Sequence, residues 1–397
     1  MFKKLTLVQY LCGIILISTG LTAFAQNNND GYLLQNGQKL ASLKKQYKDG
    51  DATITKEINS LLADADKALT AGPYSVTLRK TKVAPSGNPH DYVSQAPYWW
   101  ADPSKPDGKP YIRKDGERNP EIYLLHDDSQ LNELCIGVKK LSFAYYFTGK
   151  EEYAQKAAVL LSVWFNDADT RMAPNLNYAQ YIPGINDGRG IGIIESRALA
   201  DIPDALAMMQ GSKSVTGNLT SGIKQWFGEY LKWLQTSKNG NDEHGSQNNH
   251  GTYYDMQVVD FALFTGDKKL AKEYLQKQTI MRMDTQFTVD GKQPLELERT
   301  KSWGYSNMNL GGWCRLAILA GHLDIDLWHT EKDGKSIKKC IEWMMPYLLK
   351  QKEWSYKQIE PMGYGETVAI CSLAADQYPD IDFQKVFKMY PSARPWM

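Results

Sequence analysis

A single run of residues, Gln247-Asn248-Asn249-His250-Gly251-Thr252-Tyr253-Tyr254-Asp255, sets an amide, an imidazole and two phenols side by side. A second run, Glu298-Arg299-Thr300-Lys301-Ser302-Trp303-Gly304-Tyr305, adds a guanidinium and a further phenol. These groups can strip a proton from the carbon beside a sugar carboxylate. On a 4-linked uronate chain that work has three parts: neutralise the carboxylate so that the C5 proton becomes acidic, remove the proton, and protonate the departing O4. An amide or guanidinium suits the first, because it hydrogen-bonds the carboxylate and holds the enolate-like charge that develops. A neutral His or a Tyr phenolate suits the second, and a Tyr phenol the third. The chemistry is β-elimination, whereas a hydrolase needs two positioned carboxylates.

Asn249 and His250 fall at the expected start of a helix running through Tyr254 and Val258, where backbone amides favour a bound anion. The alternative makes Asn249 only the helix cap and His250 a packed core residue. Arg299 and Tyr305 follow a turn at Asp290-Gly291, and a cation near Tyr305 would stabilise its phenolate. Arg299 could instead be a surface ion-pair partner of Glu296 or Glu298. Stacking platforms and an Arg occur in Ser94-Gln95-Ala96-Pro97-Tyr98-Trp99-Trp100 and at Arg113, so Gln95, Tyr98, Trp99, Trp100 and Arg113 are candidate substrate-binding residues. Asn175, Tyr178, Gln180 and Arg189 join them, each equally able to clamp a loop. Arg suits a carboxylate because its fork binds both oxygens. His244, His250, Asp242 and Glu243 could be assembled into a metal set, but neither an HExxH pattern nor paired Cys spacing is present, so no metal and no cofactor is expected. Asp187, Glu195, Asp255, Glu296 and Glu298 keep a hydrolase within reach of the composition.

The elements that must position these groups are mainly helical. Apolar residues recur with helical period over 54–69, 131–147, 151–165, 193–209, 219–234, 254–264, 268–281, 309–320 and 337–349, and no comparable set of alternating strands occurs. Two junctions, Phe143-Ala144-Tyr145-Tyr146-Phe147-Thr148-Gly149-Lys150 and Phe261-Ala262-Leu263-Phe264-Thr265-Gly266-Asp267, predict helical hairpins with Gly149 and Gly266 in the left-handed position. Repeated hairpins suggest a toroid or solenoid. Residues 84–128 and 171–192 are rich in Pro, Gly and aromatic residues and break the rhythm. Irregular segments of such length in a compact fold are functional or disordered, and their aromatic content argues against disorder.

Lys plus Arg (46) nearly cancels Asp plus Glu (45), so no global field recruits a polyanion and a nucleic-acid partner is not expected. The 11 Trp and 23 Tyr supply flat faces that can stack on sugar rings, though most must be ordinary core. Lys3 and Lys4, an apolar run over 5–21 and Ala23-Phe24-Ala25 read as a secretory signal cut after Ala25, which predicts a periplasmic or secreted protein without membrane insertion of the mature chain. The remainder, residues 26–397, is expected to be one catalytic domain. Cys135, Cys314, Cys340 and Cys371 lie far apart in helix-like surroundings, which favours free buried thiols over a disulfide framework.

Taken in order, Ser94 to Pro103, Asn175 to Gly184, Gly188-Arg189-Gly190, Asn248-Asn249-His250-Gly251 and Glu298-Arg299 to Tyr305-Ser306 resemble the signatures of the alginate lyase superfamily over about residues 80–320. Within it the chain is most similar to polysaccharide lyase family 38, with family 5 more distant. The resemblance implies an all-α fold, an (α/α) toroid of six or seven hairpins, acting on an anionic polysaccharide. It also implies that Asn249 neutralises the carboxylate, His250 serves as base or neutralising partner, Arg299 stabilises charge and Tyr305 is the acid. The Arg-to-Tyr spacing is one residue shorter than in family 5. In β-D-mannuronate the C5 proton and O4 share one side of the ring, so one Tyr can serve both; in α-L-guluronate they are opposed and His250 would be the base. β-D-Glucuronate shares the mannuronate geometry, so glucuronan is an alternative substrate, and a noncatalytic glycan-binding protein is the alternative from another class.

Overall fold

A computed structural model of the chain describes residues 31–391; the expected signal segment, 1–25, lies outside them. The first helices are α1 (Gly37–Lys48), α2 (Ala52–Leu69), α3 (Asp127–Thr148), α4 (Glu151–Leu161) and α5 (Asp201–Met208). They are followed by α6 (Gly217–Thr236), α7 (Lys238–His244), α8 (Asn249–Thr265), α9 (Lys268–Tyr274) and α10 (Ile280–Gln286). The last are α11 (Pro294–Leu297), α12 (Ser302–Gly321), α13 (Ile337–Leu348), α14 (Gly365–Ala374) and α15 (Gln384–Met389). Neighbouring helices pack in succession, α2 on α3, α3 on α4 and α5, α6 on α8, α8 on α12 and α12 on α14, giving the all-α toroid.

Both expected hairpins form. Gly149 closes α3 at φ 71° and Gly266 closes α8 at φ 96°, left-handed angles that glycine adopts without a Cβ clash. Helix α8 is buried on nearly every side, so polar Asn249, Thr252, Asp255, Gln257 and Asp260 lie inside with Val258, Val259 and Phe261. The helix starts at Asn249, as expected, and its apolar period shows only from 254, because a helix enclosed all round carries no amphipathic stripe. Helices α1, α14 and α15 were not anticipated. Leu40 and Leu43 of α1 pack with Ile58 and Leu61 of α2 and Phe143 and Phe147 of α3.

The two irregular segments meet in short sheets. Strand β1 (Val93–Gln95) pairs in parallel with β4 (Tyr178–Tyr181), and β2 (Trp99–Trp100) pairs antiparallel with β3 (Ile112–Arg113). The Asn119 N–H donates to Pro97 O at 2.8 Å, so the chain from 97 to 119 closes on itself. All four described cysteines are free and buried. Among the described residues, no helix is long and apolar enough to cross a membrane.

Candidate active site

The N-terminus of α8 carries the amide and the imidazole. Asn248, not Asn249, is the cap, its Oδ1 accepting from the His250 N–H at 3.3 Å. That leaves Asn249 free for a different contact, and α11 supplies it: Glu296 accepts from the Asn249 backbone N–H at 2.6 Å and from Nδ2 at 2.7 Å. A carboxylate can only accept, so Glu296 fixes which way the amide points. Asn249 Oδ1 is then left buried without a partner, and one Nδ2 hydrogen remains uncommitted. Burial raises the Glu296 carboxyl above its usual range, against the pull of the Asn249 hydrogen bonds and the charges of Arg299 and His250.

His250 is not a core residue: its side chain is 16% exposed, while its partner Glu243 is fully enclosed. Glu243 Oε1 lies 2.7 Å from His250 Nδ1, which as a donor to the carboxylate leaves Nε2 with the free lone pair. The loop between these residues is clasped by Arg282, whose guanidinium donates to Ser246 O (2.6 Å), His244 O (2.9 Å) and both oxygens of Asp255 (2.7 and 2.8 Å). Gly251 makes room for it, since a Cβ there would stand 2.1 Å from Ser246 O and 2.2 Å from Arg282 Nη1.

The guanidinium and phenol form a second unit. Arg299 Nη2 donates to Tyr305 Oη at 2.9 Å and its guanidinium carbon sits 3.9 Å from the ring centroid. The alternative, a surface pairing of Arg299 with Glu296 or Glu298, is not what holds it: Asp115, from the irregular segment, accepts from Nη2 at 2.9 Å and from Nε at 3.3 Å. Burial opposes the charge on Asp115, yet Arg299 outweighs it and holds the carboxyl down at about 2. Tyr305 Oη also lies 2.9 Å from Tyr98 Oη. Burial, then Tyr98, raises the Tyr305 phenol above its ordinary value, and Arg299 pulls the other way without reversing it. The expected cation is therefore in place, but the resting group is a phenol, the form that can give a proton.

The two units meet at Glu296, whose carboxylate holds Asn249 and whose backbone carbonyl accepts from the Arg299 N–H at 3.2 Å. Arg113 joins the edge of the cluster, sharing Asp115 at 2.7 Å. Arg189 sits near Glu195 and Glu243; burial depresses it to about 10 and its Nε has no partner, while Nη2 donates to Gln180 Oε1 at 2.8 Å. Gln180 is buried behind it with φ 50°, a left-handed angle that a non-glycine residue holds only where its surroundings enforce it. Tyr178 is half-buried on β4.

Other candidates lie elsewhere. Gln95 is buried and turned to Glu121 (3.1 Å) and Tyr181 (3.2 Å). Asn175 is a loop clamp, donating to Asp91 at 3.1 Å and accepting from the Asn177 N–H. Trp100 donates to Glu117 O at 3.0 Å beneath Lys114, and Trp99 is half-buried with its carbonyl held by Asn119. Tyr253 and Tyr254 are packing residues, the latter donating to Leu234 O. The hydrolase acids are committed or dispersed: Asp255 to Arg282, Glu296 to Asn249, and Glu195 to Tyr92 and Ser94 at 2.8 and 2.6 Å, with Asp187 and Glu298 exposed. The metal set is not gathered, since Asp242 pairs with Lys238 and His244 faces Tyr254 and Tyr274.

Three groups escaped the sequence reading. Glu243, weighed there only as a metal ligand, orients His250; Glu296 orients Asn249; Asp115 anchors Arg299. Glu243 is seven residues before His250, a spacing that could have suggested contact around a turn, whereas Asp115 lies 184 residues from Arg299 and left no local signal.

The family model described as Alginate lyase matches residues 75–354. Among solved structures, an alginate lyase from Bacteroides ovatus is 40% identical, with 92% of this chain and 96% of that chain covered and a TM-score of 0.87. Alginate lyase A1-III from Sphingomonas species A1 is 17% identical over 87% of this chain and 88% of that chain, with a TM-score of 0.53. A histidine-to-alanine variant of alginate lyase A1-III complexed with tetrasaccharide is 18% identical over 86% and 87%, with a TM-score of 0.54. The last two are likenesses of fold. No curated protein matches the chain significantly.

Proposed function

Because the chain belongs to the alginate lyase family and is a polysaccharide lyase, we propose that it cuts 4-linked uronate chains by β-elimination, with Asn249, His250, Arg299 and Tyr305 carrying the reaction. One observation bears most of the weight: Glu296, a buried carboxylate, holds the Asn249 amide and feels the charges of His250 and of Arg299, which in turn holds Tyr305. Asn249 offers its free Nδ2 hydrogen and Arg299 its charge to the substrate carboxylate, which lowers the cost of removing the C5 proton. His250 Nε2, freed by the Glu243 contact, accepts that proton where it lies opposite O4, the guluronate geometry. Tyr305 donates to O4 as the C4–O4 bond breaks, leaving a C4–C5 double bond. In the mannuronate geometry both transfers run through Tyr305, whose own proton must first leave, a step that burial opposes and Arg299 assists.

Amide, guanidinium, imidazole and phenol cover all three tasks, so the scheme requires no metal. Export through the segment ending at Ala25 places the enzyme where such polymers occur. The test is a panel of polymannuronate, polyguluronate and glucuronan, read by ultraviolet absorbance of unsaturated ends. Rising absorbance on alginate blocks supports the proposal, preference for glucuronan reassigns the substrate, and new reducing ends without absorbance refute elimination. Tight binding without cleavage would make the chain a glycan-binding protein.

A further inference from the structure

Strand β1 has two faces, and they look into different places. Ser94 turns to Glu195, on the side where Arg189 and Glu243 lie, and the next residue, Gln95, turns the opposite way to Glu121 and Tyr181. Behind that second face is an open cavity of about 510 Å³, within the usual size of ligand sites. We propose that this cavity is a second, noncatalytic site for a uronate oligosaccharide, held by Lys82 and Lys109.

The chemistry of the lining selects the ligand. Glu121, the acid within the cavity wall, is taken up by neutral donors: Tyr111 Oη at 2.8 Å, Gln95 Nε2 at 3.1 Å and Asn119 Nδ2 at 3.2 Å. Neither lysine forms an ion pair with it. Among the described residues neither forms an ion pair, and the Lys82 ammonium rests instead 3.4 Å from the Tyr181 ring centroid. An exposed lysine held over a phenol with no anion is available to a carboxylate. Asn186 spends its Oδ1 on the Ile182 N–H at 3.1 Å, so its Nδ2 remains for a sugar hydroxyl. Asp187 at the rim and the Glu121 carboxylate in the wall oppose an anion. Cations without partners, amides and phenols around a cavity of this size fit carboxylates carried on polyhydroxylated rings.

The choice of uronate as ligand rests on the proposed function; the cavity and its lysines do not. A site on the outer face of β1 would hold the polymer beside the site that cuts it, raising its effective concentration there. Calorimetric titration of the full Tyr305→Phe chain with a mannuronate tetrasaccharide should give two sites per chain. Lys82→Ala with Lys109→Ala should remove one of them or weaken it about tenfold or more, a change of roughly 1.4 kcal/mol or greater. Asp187→Asn should tighten the same site by about 2- to 5-fold, an opposite sign that a merely structural role would not produce. Neutral cellotetraose should not occupy it. One site per chain that ignores the lysine substitutions, or no binding at all, overturns the proposal. Ultraviolet product from the wild type judges the lyase reading separately: product with a single site defeats only the cavity, and two sites without product defeat only the elimination.

Discussion

Replacing Glu243 by Gln should disable the imidazole without touching substrate. The carboxylate is fully enclosed and lies 2.7 Å from His250 Nδ1, so it fixes the ring, dictates that Nδ1 bears the proton and stabilises the imidazolium formed when Nε2 takes one. A glutamine can rotate its amide to donate to Nδ1, which would put the proton on Nε2 and leave no base. A hydrogen bond to a charged group is worth about 1.5–3 kcal/mol. At roughly 1.4 kcal/mol per decade, kcat/KM should fall about 10- to 150-fold. The loss should appear in kcat, and most fully on polyguluronate, where the base role falls to His250. Ultraviolet initial rates on each polymer measure it, and a thermal melt close to wild type shows that the neutral, isosteric amide has not unfolded the site. Adding Glu243→Gln to His250→Ala should cost nothing further, since the two act as a unit. A loss below about threefold on every polymer, or full additivity in the double variant, would refute the role of Glu243 in orienting the base.

Tyr305→Phe should lower turnover about 10²-fold or more while leaving tetrasaccharide binding measurable by calorimetry, because it deletes a proton and little volume. Gly251→Ala should destabilise the fold by about 3 kcal/mol, since the added methyl meets Ser246 O and Arg282 Nη1; Gly304→Ala, with open space around it, should be neutral or stabilising by thermal melt. Glu195 is raised from 4.5 to about 8, chiefly by burial and then by Asp128. Its folded pKa exceeds its unfolded one, so the stability it contributes is complete below about pH 4.5 and is lost as pH rises through about 8. Glu195→Gln should therefore melt progressively higher than wild type between those limits and hold a constant advantage above them, as melts at pH 5, 7 and 9 would show.

The hairpin glycines and most helical spans were legible because outer helices bury one face and keep the 3.6-residue period. The start of helix α8 at Asn249 was legible from its residue types, but its apolar period shows only from the second turn, because buried Thr252, Asp255 and Gln257 bond to Gln286, Arg282 and Ile193 O on other elements and erase the stripe that periodicity detects. Asn249, His250, Arg299 and Tyr305 could be named from residue type, and the structure does bring them to one region. Their supports could not, because Asp115, Glu243 and Glu296 are ordinary acids until the chain folds them against a specific donor. Aromatic content misled in places: Tyr253 and Tyr254 are core, and Trp100 is tied down by its own loop, since stacking platform and packing residue share one composition. Gln95, assigned to substrate from its motif, is held in the fold by Glu121 and Tyr181.

Tyr98 and Asp115, which grip Tyr305 and Arg299, both hang from the stretch whose ends are stapled by Asn119 and Pro97. The surroundings of the Tyr305 phenol are thus set in part by a cassette attached to the helical ring rather than by the ring alone. Transplanting residues 97–119 between relatives should retune how readily O4 is protonated while leaving the scaffold's melting behaviour nearly untouched, so that catalytic temperament and architectural durability can be bred independently.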